Sequence, residues 1–234
     1  MSIYVWTSEI KNIYVWTTPV KEVYVWTTKV RPVIPIPTWN LIAYYPLTSD
    51  AKDYSWNWNN LTQVWTIIYW QTWAETSNAV NNYLYNNNVS NIPTGSASRT
   101  YVFWSYLQNI GYPVVFGSQS NGRAFMMNVR TNTKWHLTTR WNDGSRLTRQ
   151  ANWRKFHVIT FDWSTWTWYV NTSQLWSWTM GTNTTQNFWI FNNTWNTRNQ
   201  ATSYKVWYVA IYNKVLTAQE ITDYYNQTKW TYWL

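Results

Sequence analysis

Nine carboxylates and two imidazoles are all the acid–base chemistry this chain can offer. They are Glu9, Glu22, Asp50, Asp53, Glu75, Asp143, Asp162, Glu220 and Asp223, with His136 and His157. Glycoside hydrolysis with retention needs two carboxylates about 5 Å apart across the scissile bond. The closely spaced acids are Asp50/Asp53, in a loop, and Glu220/Asp223, in a predicted helix. Neither pair belongs at the centre of a groove. The histidines stand near no Ser or Cys in a triad-like setting. Cysteine is absent, which removes thiolate metal sites and a disulfide framework. The expectation is a chain that is not an enzyme.

Recognition chemistry is better represented. A sugar ring lays its apolar face on an aromatic platform while Asn, Asp and Arg hold its hydroxyls. Polar, loop-like runs carry such a set at Trp141, Asn142, Asp143, Arg146, Asn193, Trp195 and Arg198. The alternative at each position is an ordinary loop residue. The formal charge is +9, and eight basic residues from Arg123 to Lys155 are met by one acid, Asp143. That run could face an anionic partner such as an acidic polysaccharide. Outward-facing strand positions, charged for solubility, would look the same. No nucleic-acid motif accompanies it.

The elements that must position these residues carry an anomaly of composition. There are 23 Trp and 6 Gly in 234 residues, where ordinary proteins hold ~7% Gly. The tryptophans do not fall on apolar positions. Trp56 and Trp58 sit in Asp53-Tyr54-Ser55-Trp56-Asn57-Trp58-Asn59-Asn60, and Trp163 and Trp166 in Asp162-Trp163-Ser164-Thr165-Trp166-Thr167. The second run has the composition of a hairpin loop. Such turns need residues with positive φ, which glycine supplies at no steric cost. Some bacterial lineages and their phages decode UGA as glycine, so one hypothesis is that many of these letters are recoded glycines. The other is a chain that is tryptophan-rich in fact, with a sugar-stacking surface.

Residues 1–33 are three decapeptide repeats, with Ile3-Tyr4-Val5-Trp6-Thr7 recurring as Ile13-Tyr14-Val15-Trp16-Thr17 and Val23-Tyr24-Val25-Trp26-Thr27. Each unit reads as a strand, a turn and a second short strand. Units this short cannot bury a face alone and must stack, on one another or on copies from other chains. An anchoring or self-associating module is expected, with a loosely attached β-meander as the alternative. Residues 34–40 form a linker that Pro35 and Pro37 hold extended. From Leu41 on, short β-rich runs alternate with turn signals, as around Tyr101 to Leu107, Phe156 to Phe161 and Tyr204 to Tyr212. That pattern predicts a β-sandwich. In the Phe156 run, His157, Ile159 and Phe161 form the more apolar face. One helix is predicted near the end, where Thr217 and Glu220 have capping-box spacing and Ile221, Tyr224 and Tyr225 share a side.

These residues resemble the laminin-G-like, concanavalin A-like lectin/glucanase superfamily. Leu41-Ile42-Ala43-Tyr44-Tyr45-Pro46-Leu47, followed by the Asp53 run, resembles its opening strand and Asp-x-Ser-Gly-Asn-Gly-Asn loop, with Trp56 and Trp58 at the glycines. Phe103-Trp104 resembles its central-strand aromatic pair. Phe156-His157-Val158-Ile159-Thr160-Phe161-Asp162 is similar to its Trp-His strand. The run from Val206 to Ile221 resembles its closing signature, with Trp207 at a usual glycine. The repeats resemble, more weakly, those on phage tail proteins.

The resemblance implies an all-β jelly roll of two antiparallel sheets over residues 41–234, with one short C-terminal helix. The glucanases' Glu-x-Asp-x-x-Glu cluster is missing. In some relatives the opening loop helps to hold calcium, and Asp50, Asp53, Asn57 and Asn59 are the corresponding candidates; an Asx-turn at Asp53 is the alternative. The implied role is carbohydrate binding or adhesion on a virion tail or cell surface, toward a surface glycan that could be anionic. A purely structural or protein-interaction module is the rival reading, and a glycoside hydrolase a distant third. No signal peptide is visible, and no run approaches the ~20 apolar residues of a membrane span. Release by lysis, as for virion proteins, is therefore expected rather than membrane insertion.

Overall fold

The computed structural model describes residues 2–5, 22–25, 28–32, 37–76, 82–107, 111–116, 125–131, 134–139, 148–149, 154–179, 185–191 and 204–232. Strands β1 (Ser2–Val5), β2 (Glu22–Val25) and β3 (Thr28–Pro32) form a small sheet of their own. The remaining strands are β4 (Leu41–Tyr45), β5 (Thr62–Val64), β6 (Ile67–Tyr69), β7 (Ala74–Thr76), β8 (Tyr83–Asn86), β9 (Arg99–Leu107), β10 (Gly111–Phe116), β11 (Phe125–Thr131), β12 (Lys134–Thr139), β13 (Thr148–Arg149), β14 (Lys155–Phe161), β15 (Thr165–Val170), β16 (Ser173–Thr179), β17 (Phe188–Ile190) and β18 (Tyr204–Tyr212). Helix α1 (Ala218–Tyr232) follows.

Two antiparallel sheets build the sandwich. One runs β13-β12-β11-β10-β17-β8-β5; the other runs β16-β15-β14-β9-β18-β7-β6, with β4 also paired to β18. Apolar side chains alternate along the central strands, as a sheet covered on both faces requires. Tyr101, Phe103, Ile159, Phe161, Val209 and Ile211 join Val114, Phe116, Phe188 and Ile190 of the other sheet in the core between the layers. Val102, Trp104, Phe156, Val158, Tyr208 and Ala210 face the opposite way and pack with Ile221 and Tyr224 of α1. A bulge in β18 between Val206 and Tyr208 breaks the alternation, so Trp207 and Tyr208 fall on the helix side together.

The helix starts where its capping box places it. Thr217 N–H donates to Glu220 Oε2 (2.9 Å), and Glu220 N–H donates to Thr217 Oγ1 (3.2 Å). Trp104 crosses the interface, donating from Nε1 to Thr228 Oγ1 (3.2 Å) and stacking on Tyr225. One expectation needs correction. Trp163 does lie in a turn, closed by Asp162 N–H to the Thr165 carbonyl, but Trp166 does not. It is a strand residue of β15, paired with Phe161 and buried in the inter-sheet core. The polar letters around it misled because a hairpin strand begins immediately after its turn.

His157 lies fully buried between the rings of Phe103 (5.1 Å) and Trp168 (6.0 Å). Burial, with the nearby Lys155 charge, holds its imidazole well below the ordinary histidine range. The folded chain therefore resists protonation that the unfolded chain accepts below pH ~6.5. Stability should fall as pH drops through that value, by up to about 1.4 kcal/mol per pH unit for this one group. Denaturant titrations at pH 7.5 and 5 should show the loss, and His157→Phe, which keeps a ring in the stack, should remove that part of it.

Candidate functional site: the opening loop and an aromatic–cationic patch

The opening loop is built around a carbonyl of β4 that faces it. In the β4/β18 ladder Ala43 pairs with Ile211 and Leu41 with Tyr212, so Ile42 is a bulged residue. Three side chains converge on the Ile42 carbonyl: Ser55 Oγ (3.0 Å), Asn57 Nδ2 (3.0 Å) and Asn59 Nδ2 (3.1 Å). Asp53 fixes the loop's entry and exit. Its Oδ1 accepts from the N–H groups of Tyr44 (2.9 Å) and Ser55 (2.8 Å), and its Oδ2 accepts from Asn59 N–H (3.0 Å). Ser55 Oγ also reaches Oδ2 (2.9 Å), and its single proton serves one acceptor at a time. Asn59 Oδ1 accepts from Ser90 N–H, tying a distant turn to the same knot.

This arrangement bears on the calcium candidates. Calcium wants six to eight oxygens turned toward it. Here both Asp53 oxygens are engaged by donors, Asn57 and Asn59 turn their amide nitrogens toward backbone carbonyls, and Asp50 binds Lys52 and the Tyr54 hydroxyl. The donor set, as arranged, fits a hydrogen-bonded lock and not a cation. Among the described residues no cluster of three or more His, Cys, Asp or Glu side chains is present.

Residues 55, 57 and 59 can share one target only if the residues between them reverse the chain's normal turn. Trp56 has φ of 82° and Trp58 of 59°. Trp65 (57°) and Trp163 (73°) are left-handed as well. For a bulky residue this region is a true outlier, costing roughly 1–2 kcal/mol. All four indoles are solvent-exposed, from 55% at Trp56 to 82% at Trp58, so packing does not recover that cost. Composition had flagged three of these loop positions; Trp65 was missed because it follows the apolar-looking Val64 in a short hairpin.

The sugar-binding candidates Trp141, Asn142, Asp143, Arg146, Asn193, Trp195 and Arg198 lie outside the described residues, as do Arg123 and Arg140 of the basic run. They flank β12, β13, β17 and β18 in the chain. Within the described residues another patch has recognition chemistry, and sequence spacing did not reveal it because it joins three separate segments. Trp70 and Trp73 close the β6–β7 hairpin with rings 5.7 Å apart, and Trp73 lies 5.9 Å from Trp207 on the β18 bulge. Lys205 Nζ stands over the Trp73 ring (5.1 Å), and the Arg154 guanidinium over Trp207 (4.9 Å). Glu75 accepts from Trp73 Nε1 (3.3 Å) and pairs with Lys205 (3.6 Å). Trp70 is exposed and Trp73 half-buried beside Lys205 and Glu75, while Trp207 is buried beneath Arg154.

No family model and no curated protein matches the chain. Solved structures do match it in shape. The binding domain of Paraclostridial Mosquitocidal Protein 1 superposes with a TM-score of 0.63 at 14% identity, over 81% of this chain and 52% of that one. The binding domain of Botulinum neurotoxin DC, solved in complex with rat synaptotagmin II, gives 0.64 at 14% identity, over 81% and 52%. Trypanosoma rangeli sialidase in complex with sialic acid gives 0.63 at 13% identity, over 81% and 33%. At these identities the likeness is one of fold. The chain spans about half the length of the first two structures and a third of the sialidase. Among the described residues no helix is long and apolar enough to cross a membrane.

The lock makes its own prediction. Asp53→Ala leaves three backbone N–H groups without their acceptor and should cost about 3 kcal/mol, read as a fall in Tm of roughly 10 °C. Millimolar calcium should leave the Tm of the parent chain unchanged; a calcium-dependent rise that Asp53→Ala abolishes would restore the metal reading.

Proposed function

We propose that this chain is a non-catalytic carbohydrate-binding or adhesion module of a virion or cell surface, of the kind carried on a phage tail fibre, with a laminin-G-like sandwich presented by an N-terminal anchor. One observation carries the non-catalytic reading. All six acids whose side chains are described are committed to local structure. Asp53 locks the opening loop, Asp162 caps the β14–β15 turn, Glu220 caps α1, Glu75 joins Trp73 and Lys205, Asp50 bonds Lys52 and Asp223 bonds Gln219. The patch of Trp70, Trp73, Arg154 and Lys205 supports the carbohydrate reading, since it offers a stacking face beside charged groups able to bond hydroxyls or an acidic sugar. The loop residues Trp141, Asn142, Asp143, Arg146, Asn193, Trp195 and Arg198 are proposed as further contacts. The rival reading, a protein-binding or decoration domain, draws on the neighbour solved in complex with synaptotagmin. A glycan array probed with the full chain separates the two: binding that Lys205→Ala weakens supports sugar recognition, and an empty array supports the protein-binding role.

We further propose that Trp56, Trp58, Trp65 and Trp163 are glycines in the native polypeptide, read from UGA. Their left-handed backbone and exposure support it. Trp104, enclosed by Phe156 and Tyr225 and bonded to Thr228, has the surroundings of a true tryptophan. Peptide-resolved mass analysis of protein from its natural source should show glycine at the four and tryptophan at 104. The same measurement at 70, 73, 141, 195 and 207 decides how much of the aromatic surface exists. In recombinant chains, glycine at the four positions relieves about 1–2 kcal/mol of strain each against about 0.5–1 kcal/mol of added chain entropy. A higher Tm is expected for the glycine version, and Trp104→Gly should instead be strongly destabilising.

A further inference from the structure

The small sheet pairs the chain's repeats in an informative way. Strand β1 runs parallel to β2, with Ser2 opposite Glu22, Ile3 opposite Val23, Tyr4 opposite Tyr24 and Val5 opposite Val25. The offset is 20 residues (22 minus 2), two decapeptides, so the first repeat lies beside the third with equivalent positions matched. Strand β2 then folds back on β3 as a hairpin, Val25 opposite Thr28. Among the described residues β1 ends the ladder, with one edge unpaired.

Chain connectivity limits which repeats of one chain can pair in this way. Neighbouring parallel strands need a crossover of roughly a dozen residues or more. Residues 6–21 lie between β1 and β2, and that is sufficient. Only residues 6–11 lie between β1 and the equivalent strand of the second repeat, which would start at Asn12. A link that short cannot return the chain to lie parallel beside β1. The triplet Ile13-Tyr14-Val15 is as competent for the ladder as the other two, but the required geometry is open to it only on another chain.

We propose that the open edge of β1 receives the second-repeat triplet of another copy of this chain, parallel and in matched register: Ile3 opposite Ile13, Tyr4 opposite Tyr14 and Val5 opposite Val15. This deepens the proposed role of residues 1–33 as a self-association module and is independent of what the sandwich binds. Because each chain offers both an edge and a triplet, the contact is heterologous, and it closes into a ring or continues along an axis according to the rotation between copies. Either result groups several sandwiches side by side and raises their avidity for a repeated surface ligand.

The absence of cysteine gives a clean test. Full-length Tyr4→Cys and Tyr14→Cys chains are mixed and mildly oxidised, with Ile3→Cys and Val15→Cys as the mismatched mixture. Paired strands lie about 4.8 Å apart, within disulfide reach. The matched mixture should give a covalent dimer joined 4 to 14, and the mismatched one should not. Sedimentation of the unmodified full chain over a concentration series should show an oligomer. An oligomer without the matched cross-link would overturn the register while leaving self-association standing. A monomer at every concentration would overturn both. In the double variant Tyr4→Cys/Tyr14→Cys, an internal disulfide within one chain would show that the chain's own second repeat fills the edge, against the proposal.

Discussion

The carbonyl of Ile42 is the point on which the start of the sandwich depends. It faces the loop, as the Tyr44 N–H and carbonyl do. A buried carbonyl left unbonded would cost about 1–3 kcal/mol. The chain meets the need with three polar side chains drawn from alternate positions of one loop, while Asp53 holds the backbone of that loop against β4. Alternation in a curled loop differs from alternation in a strand. To turn 55, 57 and 59 inward around a single atom, 56 and 58 must adopt left-handed backbone. The conformational demand for glycine thus follows from a hydrogen-bonding demand on the strand just before the loop, and Trp56 and Trp58 stand where it is greatest.

A bulge shapes the other end of the chain. Inserting one residue in β18 places Trp207 and Tyr208 on the helix side together and leaves Val206 and Val209 in the inter-sheet core. The helix is then seated from both ends. Thr100 Oγ1 donates to the Lys214 carbonyl (2.7 Å) and accepts from Leu216 N–H (3.0 Å), ahead of the capping box. Trp104 bonds Thr228 near the other end. Four tyrosines, Tyr44, Tyr208, Tyr212 and Tyr224, fill the space between helix and sheet. Burial pushes the Tyr212 and Tyr224 phenols well above their ordinary range, so this layer stays uncharged.

What could be read from the letters follows the same physics. The long central strands were legible because both of their faces are buried: β9, β14 and β18 were placed to within a residue or two at each end. The helix was legible because its cap is local. The short strands β5 to β8 were not, since three or four residues with mixed burial carry no period. Trp166 was misplaced because a buried strand position and a turn position can carry the same letter when glycine and tryptophan are confounded. Of the candidate site, the polar residues of the opening loop were legible as a motif, though not the direction in which they point. The patch around Trp73 was invisible, because Arg154, Lys205 and Trp207 meet it only once β14, β18 and the β6–β7 hairpin share a sheet.

The identity of one residue type therefore links fold and function in this chain. An indole at a left-handed corner adds strain and exposed apolar surface, and it changes nothing in the core. An indole at 73 adds a half-buried ring against which Lys205 is arranged, and one at 207 adds a buried ring beneath Arg154 that belongs to the helix-side core. Glycine at 73 would leave both cations and Glu75 on that edge of the sheet without its ring, and glycine at 207 would empty part of the helix-side core. The stability of the sandwich rests on the bonds to Ile42 and on the layers around β9, and Trp207, buried on the helix side, belongs to those layers.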